Sequence, residues 1–187
     1  RATAIFNKSY ELYHLDRVKK GSGKAPEIYL MEGFMDVIAA YRAGIENAVA
    51  SMGTALTSEH VEHLKRFTKK VIVTYDGDKA GQAATAKALD ELKDLPVQVV
   101  QIPDAMDPDE YLQKNSPQDL AYLLTNTRIS PVEFYIHHFR PENSENLQAQ
   151  IEFIEKIAPL IVQEKSITAQ NSYIHILADS LASFDYA

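Results

Sequence analysis

Cysteine is absent from the 187 residues. That excludes a disulfide framework and any thiolate-held metal. No apolar run approaches the roughly 18–20 residues that a membrane-crossing helix needs. The opening stretch, Arg1 to Tyr13, is polar and mixed, unlike a secretory signal. These absences predict a cytoplasmic protein with no membrane contact. Basic charge is also scarce: 19 Lys and Arg stand against 26 Asp and Glu, a net charge of −7. Nucleic-acid binders ordinarily carry a basic footprint, so charge alone argues against one. The exception is a chain that gathers carboxylates around metal ions, which reverse the local charge. What is present is the usual globular balance, 45% apolar and 24% charged. The length suits one domain, or a compact domain with a smaller appended one. Arg1 opens a helix-like stretch at once, and Ser183 to Ala187 carries no helix stop, as expected of a piece cut from a longer protein.

Thr3 to Arg17 reads as a short amphipathic helix or an extended lead-in, and Lys19 to Lys24 as a flexible basic loop. Four apolar, β-rich runs follow: Ile28–Met31, Ala48–Ser51, Val71–Tyr75 and Val97–Ile102. Helical patterns separate them at Phe34–Ala43, Ser58–Phe67 and Ala80–Leu92, with Thr57 or Ser58 as an N-cap. Strand–helix alternation predicts a parallel sheet with helices on its faces. Beyond Asp107 only helices are expected: Pro108–Asn115, Pro117–Thr125, Pro131–Phe139, Leu147–Gln163 and Ser166–Phe184. The first three begin on proline, which suits a first helical turn. Ile151, Ile154, Ile157 and Ile161 form an apolar stripe, as do Tyr173, Leu177 and Leu181, so a small helical bundle is predicted.

Ligands of open α/β sheets sit at the carboxyl ends of the strands. There the sequence places Glu32-Gly33-Phe34-Met35-Asp36, then Asp76-Gly77-Asp78, then Asp107-Pro108-Asp109. Six carboxylates therefore converge on one sheet edge if the strands are parallel. Phosphoryl and nucleotidyl transfer uses hard divalent ions with oxygen ligands, and two ions about 4 Å apart can hold the attacking and leaving oxygens. Gly77 is expected to let the backbone bend so that Asp76 and Asp78 face one ion. Glu32 suits a metal or proton transfer. Any single pair is an ordinary turn former or helix cap; three pairs at three strand ends favour chemistry.

Other motifs fail on spacing. A calcium loop from Asp76 would need ligands where Ala80 and Lys87 stand. Gly21-Ser22-Gly23-Lys24 has Val18 and Ala25 in place of the Gly and Ser/Thr of a phosphate loop. His60 and His63 lack zinc spacing and read as a surface pair, His137 and His138 as surface and core neighbours. Lys65, Arg66, Lys69 and Lys70 read as a solvated helix end.

Glu32–Asp36, Ser51-Met52-Gly53-Thr54, Tyr75-Asp76-Gly77-Asp78-Lys79-Ala80-Gly81 and Asp107–Asp109 together resemble the topoisomerase–primase (Toprim) signature, in the form found in the catalytic, RNA polymerase domain of bacterial replicative primases. The resemblance covers roughly Ile28 to Asn115. It implies a Rossmann-like Toprim sheet over residues 25–115, a stub of a preceding subdomain at 1–24, and a helical subdomain at 116–187. It further implies Glu32, Asp76 and Asp78 as catalytic residues. Glu32, Asp36, Asp76, Asp78, Asp107 and Asp109 would be the metal set, and Lys79, Gly53 and Thr54 would meet nucleotide. The cofactor would be Mg²⁺ or Mn²⁺, with zinc only in a separate domain that this cysteine-free chain lacks. Partners would be a single-stranded DNA template, ribonucleoside triphosphates, and a replicative helicase reached through a domain not present here. With the preceding basic subdomain missing, weak or no primer synthesis is expected of this chain alone. Rival readings are a topoisomerase or nuclease fragment, a non-catalytic Toprim DNA-repair module, and, last, a phosphoaspartate enzyme using Asp76.

Overall fold

The computed structural model describes residues 7–18, 23–142 and 146–181. Contacts divide the chain into two compact units, 1–129 and 130–187.

The first unit is built on a parallel sheet. Its strands are β1 (Ile28–Met31), β2 (Ala48–Ala50), β3 (Val71–Val73) and β4 (Val97–Val99), ordered β2-β1-β3-β4. Strand β1 is central and pairs in parallel with both β2 and β3. All residues of β1, β2 and β3 are buried, as strands covered on both faces must be. The helices are α1 (Leu15–Val18), α2 (Phe34–Arg42), α3 (Ser58–Phe67), α4 (Lys79–Glu91), α5 (Pro108–Lys114) and α6 (Pro117–Asn126). Their starts are written locally. The Thr57 hydroxyl accepts from the His60 N–H, the Asp78 carboxylate from the Gly81 N–H, and the Asp107 carboxylate from the Glu110 N–H. Each satisfies one of the backbone donors that a helix start leaves open. Proline begins α5 and α6, where its missing N–H costs nothing.

Within the described residues the lead-in begins with a turn at residues 8–10, closed by the Tyr10 and Glu11 N–H groups on the Asn7 carbonyl. Tyr13 bridges antiparallel to Ala50 before the single turn of α1. The part of the predicted helix at Thr3 to Phe6 lies outside the described residues, as does most of the basic loop at 19–22.

Two local readings change. Leu120 and Leu124 of α6 are fully buried in the same core as Tyr29, Ile72 and Val100. That helix therefore packs with the sheet, and the first unit extends to Ile129 instead of ending near Asn115. His60 is fully buried and not at the surface; it sits in the first turn of α3, with its ring against the Thr57 N–H.

The second unit contains α7 (Pro131–Phe139), α8 (Leu147–Gln163) and α9 (Ile167–Asp179). Its core joins Ile136, Phe153, Ile157, Ile161, Leu177 and Leu181, with Ile154 and Tyr173 packed alongside. The predicted stripes thus meet one another, as amphipathic helices require. Ile151 is the exception, more than a third exposed.

Candidate active site at the strand ends

Because the four strands run parallel, their carboxyl ends share one edge. Glu32 follows β1, the Ser51–Gly53 loop follows β2, and Asp76 follows β3 after two residues. A loop from Val100 to Asp107 follows β4. It doubles back with Asp104 and Ala105 in left-handed conformations, and the Gly77 N–H donates to the Met106 carbonyl at 2.9 Å. That bond fastens the Asp76–Asp78 turn to the segment that leads into Asp107.

Gly77 is needed for room, and not for the bend expected of it. Its backbone is not left-handed, but a Cβ there would lie 2.1 Å from the Ile102 carbonyl oxygen. Gly53 does need its missing side chain for conformation, with φ +73 directly after Met52 at φ 58.

The acidic side chains feel one another. Burial pushes the Asp76 carboxyl up to about 6, helped by the charges of Glu32, Asp107, Asp78 and Glu110. Asp36 is 5% exposed. Its burial pushes it up to about 7, and Asp107 and Asp76 add to the rise while the Gly33 N–H opposes it. Glu32 is raised by burial and by Asp78, against a hydrogen bond from the Asp76 backbone. One Glu32 oxygen, Oε1, is buried with no hydrogen-bond partner. Burial and like charge both disfavour the ionised form, so these carboxylates are poised to take up protons or cations. Glu110 belongs to this group through its charge on Asp76. The sequence reading missed it because it lies inside α5, past the Asp107–Asp109 motif.

Several of the same groups also hold the fold. Asp36 Oδ2 accepts from the Gly33 N–H at 2.8 Å, Asp78 Oδ1 from the Gly81 N–H at 2.7 Å, and Asp107 Oδ1 from the Glu110 N–H at 2.6 Å. Asp109 accepts from the Gln113 amide at 2.9 Å. Capping thus accounts for one oxygen each of Asp36, Asp78 and Asp107. Among the described residues no three Asp, Glu or His side chains close around a single point as a complete cage for an ion. The donor chemistry still suits Mg²⁺ or Mn²⁺. Magnesium usually takes one or two carboxylates and completes its shell with water and substrate phosphates. An all-oxygen set containing a buried, unpartnered carboxylate oxygen fits that pattern.

Gly53 and Thr54 line a cleft of about 470 Å³ together with Glu32, Tyr75 and the near face of α4. The Thr54 hydroxyl donates to the Ser51 carbonyl at 2.8 Å and fixes this loop. Lys79 opens α4 directly after Asp78, with an exposed side chain. No helix among the described residues is long and apolar enough to cross a membrane.

Comparison with known proteins agrees with this geometry. Residues 29–112 match the Toprim-like family model. The DNA primase of Lactococcus lactis is 53% identical over 185 residues, which cover 99% of this chain and 29% of that protein. Among solved structures, the RNA polymerase domain of Mycobacterium tuberculosis primase DnaG, in complex with a double-stranded DNA oligomer with a 6-nucleotide overhang, superposes with a TM-score of 0.74 at 30% identity. The match covers 97% of this chain and 60% of that one. A DnaG primase catalytic domain bound to single-stranded DNA gives a TM-score of 0.73 at 28% identity, over 96% of this chain and 59% of that one. The chain therefore spans under a third of its curated relative and about three fifths of the solved cores. By sequence and by fold, it belongs to the DNA primase family, as a Toprim-bearing segment of the catalytic core.

Proposed function

We propose that this chain is the metal-binding part of a primase catalytic core, an enzyme segment that joins ribonucleotides into short RNA primers on single-stranded DNA. The observation that carries the reading is the placing of Asp76, Asp36 and Glu32 at the strand ends, with carboxyls raised first by burial and then by neighbouring acidic charge. Strongly perturbed carboxyls cluster at functional sites. Relatives that carry the primase name, and related cores that hold DNA, support it.

In this reading Asp76 and Asp78 hold Mg²⁺ or Mn²⁺, with Glu32, Asp36, Asp107 and Asp109 around them. The bound ion supplies charge neutralisation for triphosphate and transition state. In the joining reaction a ribose 3′-hydroxyl oxygen attacks the α-phosphorus of a ribonucleoside triphosphate, and pyrophosphate leaves. Glu32 holds the hydroxyl proton, a task suited to a carboxyl raised by burial. Lys79 meets phosphate at the start of α4, with Gly53 and Thr54 on the opposite wall. Zinc and the replicative helicase engage other parts of a longer, cytoplasmic enzyme.

The test uses the full-length enzyme. Asp76→Ala or Asp78→Ala is expected to reduce priming at least about 100-fold, the scale of removing a principal electrostatic contact, while the fold persists. Near-normal priming by either variant would refute the ligand assignment. Glu32→Gln should retain nucleotide binding and lose catalysis; loss of metal affinity alone would make Glu32 a ligand and not a proton acceptor.

A further inference from the structure

The turn that carries Asp76 and Asp78 has a weak point between them. The Ile102 carbonyl leaves no space for a Cβ at Gly77, so the residue is glycine for room. Glycine also leaves the chain on either side freer to rotate than any other residue would. Two carboxylates that are to share an ion need their mutual orientation held, and groups behind them must do the holding.

Part of that restraint is backbone. The Gly77 N–H donates to the Met106 carbonyl at 2.9 Å, which fixes the peptide between Asp76 and Gly77. The Gly81 N–H donates to Asp78 Oδ1 at 2.7 Å, which fixes the Asp78 side chain at the start of α4. In a regular helix that N–H would instead take the carbonyl four residues back, here Gly77's. The Gln82 N–H takes the Asp78 carbonyl at 2.9 Å. The cap therefore leaves the Gly77 carbonyl, and the peptide between Gly77 and Asp78, without a backbone partner from α4.

The Gln82 side chain fills that gap. Its Nε2 donates to the Gly77 carbonyl at 3.1 Å. Helical side chains tilt toward the helix N-terminus, so the fourth residue of α4 reaches back over the first turn to the carbonyl just outside it. Length and chemistry are both selective. Glutamate would bring only acceptors to a carbonyl, and asparagine is one methylene shorter. Gln82 is neutral, partly buried and outside the acidic set. We infer that Gln82 is a positioning residue for the acidic edge: by fixing the peptide between Gly77 and Asp78, it keeps the Asp76 and Asp78 carboxylates oriented for a divalent ion. The inference rests on the metal-binding reading of those two residues, and Gln82 acts only through them.

The test is a Mn²⁺ titration of this chain by paramagnetic relaxation, with Asp76→Asn alongside. Gln82→Met keeps the length and a good helix former and removes the donor. It should weaken Mn²⁺ about fivefold, the worth of one net hydrogen bond, while the metal-free melting temperature falls by no more than about 2 °C. Gln82→Asn, which keeps the amide but is too short, should weaken Mn²⁺ as much. In metal-free spectra of Gln82→Met, the Gly77 and Asp78 amides should shift more than any amide of α4 beyond Thr85. A residue that merely supported α4 would lower the melting temperature and leave the affinity alone. That result, full affinity in either Gln82 variant, or unmoved Gly77 and Asp78 amides would each overturn the inference. If Asp76→Asn weakens Mn²⁺ at least tenfold and Gln82→Met does not weaken it, the metal reading stands and the role of Gln82 falls. If Asp76→Asn leaves binding unchanged, the metal reading falls and this inference falls with it.

Discussion

The two ends of the sheet handle charge in opposite ways. At the end where strands begin, Glu27, Lys70 and Arg128 form a closed network. Arg128 donates to both Glu27 oxygens, at 2.9 and 2.8 Å, and also to the Tyr29 hydroxyl. Lys70 approaches Glu27 at 2.8 Å. Burial pushes the Glu27 carboxyl up, but the two cations outweigh it and hold it below its ordinary value. At the end where strands finish, burial pushes the carboxyls of Asp76 and Asp36 upward, and neighbouring carboxylates add to the rise instead of offsetting it. Charge that is matched inside the chain serves the fold. Charge left to repel is kept for something the chain does not contain, and stability is what it gives up.

If that contrast is right, neutralising one charge at each end changes stability in opposite directions. Arg128→Ala leaves the partly buried Glu27 carboxylate with Lys70 alone, and weakening such a pair is destabilising. A loss of about 2–3 kcal/mol is expected, a fall of roughly 5–10 °C in melting temperature for a chain of this size. Asp76→Asn keeps the shape and removes repulsion. Without metal at pH 8 it should stabilise the chain by about 0.5–1 kcal/mol, and added Mn²⁺ should erase the advantage. If Asp76→Asn destabilises the metal-free chain, the edge is held together by its carboxylates and the contrast fails.

A smaller effect follows from pH. Asp36 and Asp76 ionise near 7 and 6 when folded, against about 3.9 in an unfolded chain. Between those values the folded state binds more protons, so stability falls as pH rises. The part of stability owed to these groups is complete below about pH 4 and is lost by about pH 7 to 8. Melting scans from pH 5 to pH 8 without metal should therefore show a decline of a few degrees, flattened in Asp76→Asn. His60 and His138, lowered by burial, act in the opposite sense over the same window, so the difference between the natural sequence and Asp76→Asn is what tests the rise at Asp76, and identical slopes would contradict it.

What the sequence revealed was local. Apolar runs of strand length, Thr57 as a cap and proline at the starts of α5, α6 and α7 each act through neighbouring residues, and each can be read in order along the chain. The acidic edge was legible for a related reason: parallel strands bring their ends together whatever the register. Contacts between distant residues were not legible. Arg128 and Glu27 are 101 positions apart, and neither marks the other. The need for Gly77 comes from the Ile102 carbonyl, which only the folded loop brings within 2.1 Å of its would-be Cβ. The burial of His60 and the docking of α6 depend on which surface each helix meets. The cleft beside Glu32 is lined jointly by the loop after β2 and by α4, a juxtaposition that no local pattern encodes.

The most direct test of the acidic edge as a metal site is a Mn²⁺ titration of this chain by paramagnetic relaxation, comparing the natural sequence with Asp76→Asn. The account predicts saturable binding that the variant loses or weakens at least tenfold. Binding that Asp76→Asn leaves unchanged, or none at millimolar Mn²⁺, would contradict it.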